Sequence, residues 1–497
     1  MKESTKPLSD FLKAGEILQL DQLFIKRVEI YRPLSQVYSL FYKEKDAVLL
    51  DSSSQDKNSR FSILARKPYL RLCQKRTASK QIVFTINGEI HSGNIHDFLK
   101  EYLASHQQEN PTPLPMISGA IGYFNYDYGR RREEISSRFE VEQDLIPEAV
   151  WNFYSQLYIE DCENKIIYLI ANVESKLPSP AISAEIFQEM EGFLAKAEVY
   201  HGKTQEILQR NKNQSYQLSI QEDSTEEDYL DKVRSMINYI VEGDIYITNL
   251  TRQLQVFSHK DPYRVYQILR QINPAPFGGF FQYGNYQIAS ASPERFLKMK
   301  KGQIETCPIK GTRRRGNNPQ EDALLKKELE ESQKDRSELL MIVDLERNDL
   351  SKVCRPASVQ VAKLFEVEEH ATVFHLLATI TGELEKGRDV MDLIDASFPG
   401  GSITGAPKIR SMEIIDELEE GKRGLYTGSM GYITLDNSCD LNIIIRSLVH
   451  KDGIYHLGVG GGITCESEDE FEFEETWQKA HALLEALEGT PDTNKEP

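Results

Sequence analysis

The segment Gly458–Lys479, GVGGGITCESEDEFEFEETWQK, joins a run of glycines to a cluster of carboxylates and an amine. Gly458, Gly460, Gly461 and Gly462 carry no Cβ, so as a glycine-rich turn they would let backbone N–H groups approach a carboxylate or phosphate. Beyond them Glu472 and Glu475 are three residues apart and Glu475 and Lys479 four apart, a spacing that puts all three on one helical face. A second acidic pair, Asp335 and Glu338, has the same i,i+3 spacing and leads into the apolar run Leu339–Val343. Two such pairs on separate helices could serve a hard cation such as Mg²⁺, which takes a few carboxylate oxygens and fills its remaining positions with water and substrate oxygens. Spacing alone also suits a solvent-facing Glu/Lys ladder, or carboxylates drawn to the positive start of a helix. Zinc fits neither cluster: Cys73, Cys162, Cys307, Cys354, Cys439 and Cys465 are scattered with no C-x₂-C spacing, and the ten histidines show no H-x₃-H pair.

The elements that must position these groups belong to a chain of 497 residues, enough for one large or two medium globular units. Its formal charge of −18 argues against nucleic acid, whose binding needs clustered Lys and Arg. The basic triplet Arg313-Arg314-Arg315 reads as a local turn or a substrate-side feature. No apolar run nears the ~20 residues of a membrane span, and the N-terminus has no charged region followed by an apolar core. The expected location is therefore the cytoplasm, where dispersed cysteines stay reduced.

Residues 1–200 alternate short β-like runs, such as Ala47–Leu50 and Ile166–Ile170, with polar turns, and read as a β-rich N-terminal region. A polar stretch over 201–227 reads as a linker, followed by a second region over 228–490 and a loose tail at 490–497. In the second region helices are expected over 229–241, 321–345, 391–396, 409–418 and 472–487. Strands are expected over 245–256, 280–291, 296–304, 431–435, 441–449 and 454–459. Long helices and strands without regular βαβ alternation imply an α+β fold with a largely antiparallel sheet.

Several long motifs in this order resemble the chorismate-utilising enzymes, a family that includes anthranilate synthase component I, aminodeoxychorismate synthase component I, isochorismate synthase and salicylate synthase. The resemblance rests on SASPERF (290–296), PIKGT (308–312), KDRSELLMIVDLERNDL (334–350), FPGGSITGAPKIRSMEIIDELE (398–419), RGLYTGSMGY (423–432) and the glycine–carboxylate segment. It implies an anthranilate synthase component I-like fold with mostly antiparallel sheets and helices outside. It further implies that Glu338 and Glu475 bind Mg²⁺ with Asp335 and Glu472 nearby, and that the metal holds the ring carboxylate of chorismate. Glu294 matches the general acid that protonates the departing ring hydroxyl, a task suited to a carboxyl kept neutral by its surroundings. Arg446 and Tyr426 match residues that hold the enolpyruvyl carboxylate, assisted by the Gly460–Gly462 backbone. Arginine suits that task because its planar fork pairs with a carboxylate. Thr312, Ser402 and Lys479 line the same anionic site by analogy, and His375 corresponds to a histidine packed near the reacting ring.

Lys310 distinguishes the branches, because aminodeoxychorismate synthases of one type carry lysine in PIKGT where the other members carry alanine. In that scheme the deprotonated amine adds at ring C2 as the C4 hydroxyl leaves, and ammonia then adds at C4 as the lysine departs. FPGGSITGAPK and Asn273-Pro274-Ala275-Pro276-Phe277 also resemble this branch. The water-activating lysine of isochorismate and salicylate synthases is replaced by Ile247, where amine-transferring relatives mostly carry Gln. The expected function is therefore amination of chorismate to 4-amino-4-deoxychorismate, on the route to 4-aminobenzoate and folate. No cysteine here lies in a G-x-C-x-G context, so a glutamine amidotransferase partner is expected to deliver the ammonia. Leu49-Leu50-Asp51-Ser52 and Ser59–Ser62 resemble segments that form a tryptophan pocket in relatives, which marks Ser52 as a candidate tryptophan contact. Anthranilate synthesis is the competing enzymatic reading, and a silent chorismate or tryptophan sensor the non-enzymatic one.

Overall fold

A computed structural model describes residues 11–54, 59–77, 79, 81–139, 144–173, 180–210, 218–370 and 373–488. Its trunk is a pair of long antiparallel strands, Phe61–Arg76 and Ala149–Asp161, from which two arms of sheet depart. The strand Ala149–Asp161 (AVWNFYSQLYIED) is buried along nearly its whole length, as expected of a strand covered on both faces.

One arm passes from Phe61–Arg76 through Val48–Asp51, Phe277–Gln282, Tyr286–Ser292 and Ser447–Lys451 to Ile454–Ile463 and Ile247–Phe257. The other passes from Ala149–Asp161 through Gly119–Phe124, Ser429–Thr434, Cys439–Ile443, Arg295–Lys300 and Gln303–Thr306 to Val373–Glu383. That last strand also pairs with Ile309–Arg314 and Gln360–Glu369. Every strand pairing in these arms is antiparallel, and helices pack against their ends, so the α+β expectation holds.

Two helices carry the acidic pairs. Gln333–Ser351 begins at Ser332, whose hydroxyl accepts from the Asp335 N–H at 3.3 Å, and it buries Leu339, Ile342, Val343 and Leu350. Offsets of 3, 4 and 11 from Leu339 put these side chains in one apolar stripe, and each contributes about 1.5–3 kcal/mol by leaving water. The helix packs on Val373–Glu383. The helix Asp469–Glu488 buries Thr476, Ala480, Leu483 and Leu487 and packs on Ile454–Ile463.

Several expected elements are divided. The run 280–291 is a hairpin whose turn holds Gly284 at φ +89°, and 296–304 is a second hairpin turning at Gly302, φ +75°. The run 441–449 breaks at Arg446, φ +51°, and the helix expected over 321–345 is two helices, Pro319–Glu331 and Gln333–Ser351, meeting at Ser332. Apolar periodicity misses these breaks because a tight turn or a shared cap residue interrupts the backbone without interrupting the pattern. The helix Pro180–Arg210 runs into the stretch read as a linker; 211–217 and the tail at 489–497 lie outside the described residues. N-terminal strands enter the C-terminal sheets, Leu50 facing Gly279 and Tyr123 facing Met430.

Candidate active site

Gly458, Gly460, Gly461 and Gly462 do not form a turn: all lie in the strand Ile454–Ile463, paired with Ile247–Phe257. Glycine is required there because neighbours press onto the strand. A Cβ on Gly458 would fall 2.2 Å from the Tyr426 ring, and one on Gly460 would fall 2.2 Å from the Leu250 carbonyl oxygen. A Cβ on Gly461 would stand 2.8 Å from Glu475 Oε2 and 3.2 Å from Glu472 Oε2. The strand is thus a bare floor on which the carboxylates of the helix Asp469–Glu488 rest. Lys479 Nζ donates to the Gly460 carbonyl at 2.8 Å and pairs with Glu475 at 3.2 Å, fixing the helix's rotation over that floor.

The opposite wall is the strand Ile309–Arg314, which carries a β-bulge between Lys310 and Thr312. Gly311 occupies it at φ +69°, and a Cβ there would also strike the Asp335 side chain at 2.8 Å, so both conformation and space demand glycine. The bulge aims Lys310 into the cavity. Its Nζ donates to the Ser402 carbonyl at 3.1 Å and would stand 3.4 Å from a Cβ on Gly462. Glu294 is buried; desolvation pushes its carboxyl above the usual range, against a Ser402 side-chain hydrogen bond and the Lys310 charge. Amine and acid therefore share one neighbour, Ser402, on the 3₁₀ turn Gly401–Ile403.

These walls enclose a cavity of about 550 Å³ whose lining includes Glu294, Lys310, Thr312, Asp335, Glu338, His375, Ser402, Tyr426, Arg446, Gly460, Gly462, Glu472, Glu475 and Lys479. Gly461 packs against Glu475 and Glu472 at its edge. Every residue singled out for catalysis, metal or substrate thus stands in or beside one cavity. Burial pushes Glu338 up to about 7, opposed by Lys310 and Lys334. Burial also raises Glu472, whereas at Glu475 the charges of Lys479, Lys310 and Lys334 outweigh burial and hold the carboxyl below its usual range. Asp335 is engaged differently, by Arg313 at 3.1 Å. Among the described residues no hydrogen bond or salt bridge occupies the Arg446 guanidinium, and burial lowers its proton affinity. An anionic group entering the cavity would meet it already desolvated.

Sequence reasoning passed over Asn249 and Lys334, which also line the cavity; Lys334 approaches Glu472 at 3.5 Å and stands four residues before Glu338. Ile247, noted for its unusual identity, is buried, with Cδ1 3.6 Å from a Cβ on Gly462 beside the Lys310 amine. Ser52 lies elsewhere, on a cavity of about 310 Å³ with Asp51, Arg60, Pro276 and Phe277, its hydroxyl 2.7 Å from the Phe61 carbonyl.

The sequence profile of chorismate binding enzymes matches residues 47–485. The chain belongs to that family. Among its relatives, anthranilate synthase component 1 of Acetivibrio thermocellus is 33% identical over 472 residues, 93% of this chain and 94% of the relative. Aminodeoxychorismate synthase component 1 of Escherichia coli K12 is 35% identical over 449 residues, 89% of this chain and 93% of the relative. The crystal structure of anthranilate synthase component I from Streptococcus pneumoniae TIGR4 superposes with a TM-score of 0.70 at 30% identity, covering 85% of this chain and 92% of that one. The cavity of this chorismate binding enzyme is the candidate active site. No described helix is long and apolar enough to cross a membrane.

The carboxylate set suits a hard cation. Glu472 Oε2 is buried with no hydrogen-bond partner among the described residues, and it faces the same floor as Glu475. No group of three or more His, Cys, Asp or Glu side chains among those residues is placed to hold a metal ion by itself.

Proposed function

We propose that this chorismate binding enzyme is an aminodeoxychorismate synthase component that aminates chorismate at C4, using Lys310 as a covalent nucleophile. The observation that carries the reading is the Lys310 amine on its bulge, bonded to the Ser402 carbonyl, with Glu294 on the same residue and buried Ile247 beside the same glycine, Gly462. Apolar Ile247 supplies no base for water at that position, which disfavours water as the nucleophile and supports nitrogen. The aminodeoxychorismate synthase relatives at 34% and 35% identity agree with this assignment.

In the reaction proposed, the Lys310 nitrogen bonds to ring C2 as both ring double bonds shift, C1=C2 to C1=C6 and C5=C6 to C4=C5, and the C4–O bond breaks. Glu294 gives its proton to the departing hydroxyl, and water leaves. Ammonia then bonds to C4 as both double bonds shift back and the C2–Nζ bond breaks; the proton released by the new amine restores Glu294. Arg446 and Tyr426 hold the enolpyruvyl carboxylate, and Thr312, Ser402 and Lys479 complete the polar lining. Glu338 and Glu475 would hold Mg²⁺, with Glu472 and Asp335 beside them; bound there, the cation supplies positive charge for the ring carboxylate. His375 packs close to the reacting ring. Ammonia would come from a glutamine amidotransferase subunit, consistent with the "component 1" in the relatives' names. The smaller cavity at Ser52 would take tryptophan.

Mass spectrometry of protein quenched with chorismate and Mg²⁺ but no ammonia tests the nucleophile. A chorismate-derived adduct on the peptide containing Lys310, absent from Lys310→Ala, is expected. Unmodified Lys310 together with normal 4-amino-4-deoxychorismate output from Lys310→Ala would refute it. A second reading, anthranilate synthesis, draws on the 33% identity to the Acetivibrio thermocellus enzyme and is separated by product.

A further inference from the structure

Glu346 is a buried carboxyl that the proposed reaction does not use. It lies two turns beyond Glu338 on the helix Gln333–Ser351 and is 9% exposed. Its Cγ would stand 3.4 Å from a Cβ on Gly401, the residue before Ser402. It therefore sits under the turn that contacts both the Lys310 amine and the Glu294 carboxyl.

Hydrogen counting fixes its state. Thr306 Oγ1 lies 2.7 Å from the Phe296 carbonyl oxygen and 2.9 Å from Glu346 Oε2. A threonine hydroxyl has one hydrogen, and a carbonyl oxygen can only accept, so that hydrogen goes to Phe296. The contact with Glu346 is then a hydrogen bond only if Glu346 brings the proton. With a carboxylate instead, one of the two short O···O contacts would lack a hydrogen in a dry site.

The surrounding charges agree. Asp349, one turn further along the same helix, is paired with Lys408 at 2.5 Å and Lys352 at 2.9 Å. From the other elements, the Glu294 carboxyl, the Lys408 ammonium and the Cys307 thiol all lie near enough to act on Glu346. Burial foremost, then Glu294 and Asp349, push Glu346 up to about 8, with Lys408 acting the other way.

We infer that Glu346 stands as a neutral carboxylic acid beneath the catalytic cavity, donating to Thr306 and serving as a positioning residue for the Gly401–Ser402 turn and, through it, for Glu294 and Lys310. As a neutral group it can hold the turn without adding a second negative charge there once Glu294 has given up its proton. The inference uses the amination reading only in the roles of Glu294 and Lys310.

Three measurements on the full chain test it. The infrared difference spectrum between wild type and Glu346→Gln near neutral pH should show the carbonyl band of a protonated acid in the wild type; carboxylate bands alone would overturn the proposal. The glutamine amide has nearly the same volume and donates to Thr306, so Glu346→Gln should keep kcat and KM for chorismate within about twofold, while Glu346→Leu should lower kcat with little change in KM. Equal losses in both variants would overturn the positioning role. Thermal unfolding adds a signed test. The proton affinity of Glu346 is raised on folding, so between about pH 4.5 and 8 the folded wild type holds one more proton than the unfolded chain and loses stability as pH rises. Glu346→Gln should therefore match the wild type near about pH 5 and unfold at a higher temperature near about pH 8. A Glu346→Gln that is less stable by the same amount at every pH, or that does not fold, would refute the neutral acid. Thr306→Val then gives an independent check: the acid band should persist and move to higher frequency, and its absence would confirm the refutation. The spectra and unfolding curves need no turnover, so failure of the amination reading alone would leave them unchanged.

Discussion

Alanine substitutions at Gly460, Gly461 and Gly462, consecutive in one strand, should give three different outcomes because each new methyl would meet a different kind of neighbour. At Gly460 the methyl would lie 2.2 Å from the Leu250 carbonyl oxygen and 2.8 Å from the Thr251 Cα, both backbone atoms of the paired strand. The ladder must open, at a cost of about 1–3 kcal/mol, so Gly460→Ala should lower the thermal midpoint. At Gly461 the methyl meets only side-chain ends, Glu475 Oε2 at 2.8 Å and Glu472 Oε2 at 3.2 Å. Ordinary contact is regained if the Glu475 carboxylate withdraws by roughly half an ångström, a displacement that in a preorganised site costs on the order of tenfold in rate. Gly461→Ala should therefore fold normally, reach about a tenfold lower kcat/KM, and need more Mg²⁺ for half-maximal turnover. At Gly462 the nearest atom is Lys310 Nζ at 3.4 Å, an ordinary contact with a flexible chain end, so Gly462→Ala should change either property little. Thermal unfolding and Mg²⁺-dependent chorismate consumption on the three variants are the assays. A uniform effect across the series, or a Gly461→Ala that loses stability while keeping its Mg²⁺ demand, would refute the carboxylate floor.

Glu294→Gln keeps the size and most hydrogen bonds of the buried acid but cannot give up a proton, so kcat should fall by about 10²–10⁴ with KM little changed; a loss in KM alone would make Glu294 a binding group. Glu338→Gln and Glu475→Gln should each reduce turnover about a hundredfold or more with the fold retained, as circular dichroism and unfolding would show; survival of activity at wild-type Mg²⁺ demand removes that residue from the metal site. Arg446→Lys replaces a planar fork by a point charge, and its KM for chorismate should rise by about 10- to 100-fold with a smaller change in kcat, whereas an unchanged KM would move the enolpyruvyl carboxylate elsewhere.

The carboxylate clusters were legible in the sequence because i,i+3 and i,i+4 spacing on a helix fixes a common face whatever the helix packs against. Glu472, Glu475 and Lys479 accordingly share the face above Gly461. The glycine run was legible as a place of close approach but not as a strand, since glycine permits both a turn and a strand under pressure; the pressure comes from Tyr426 and the acidic helix, which are remote in sequence. The aim of Lys310 depends on the bulge at Gly311, and a bulge is set by the pairing partner Val373–Glu383, which local sequence does not specify. Asp335 had the expected spacing, yet the neighbouring Arg313 engages it, a competition visible only once the strand and the helix are side by side. Glu346 carried no signal, because its state follows from the count of hydrogens around Thr306 and not from its spacing to any other residue.

The identity of the aminated product tests the central claim most directly. Purified protein with chorismate, Mg²⁺ and an ammonium salt should consume chorismate and yield 4-aminobenzoate only when an aminodeoxychorismate lyase is added. Anthranilate formed without the lyase, or no consumption of chorismate, would contradict the account.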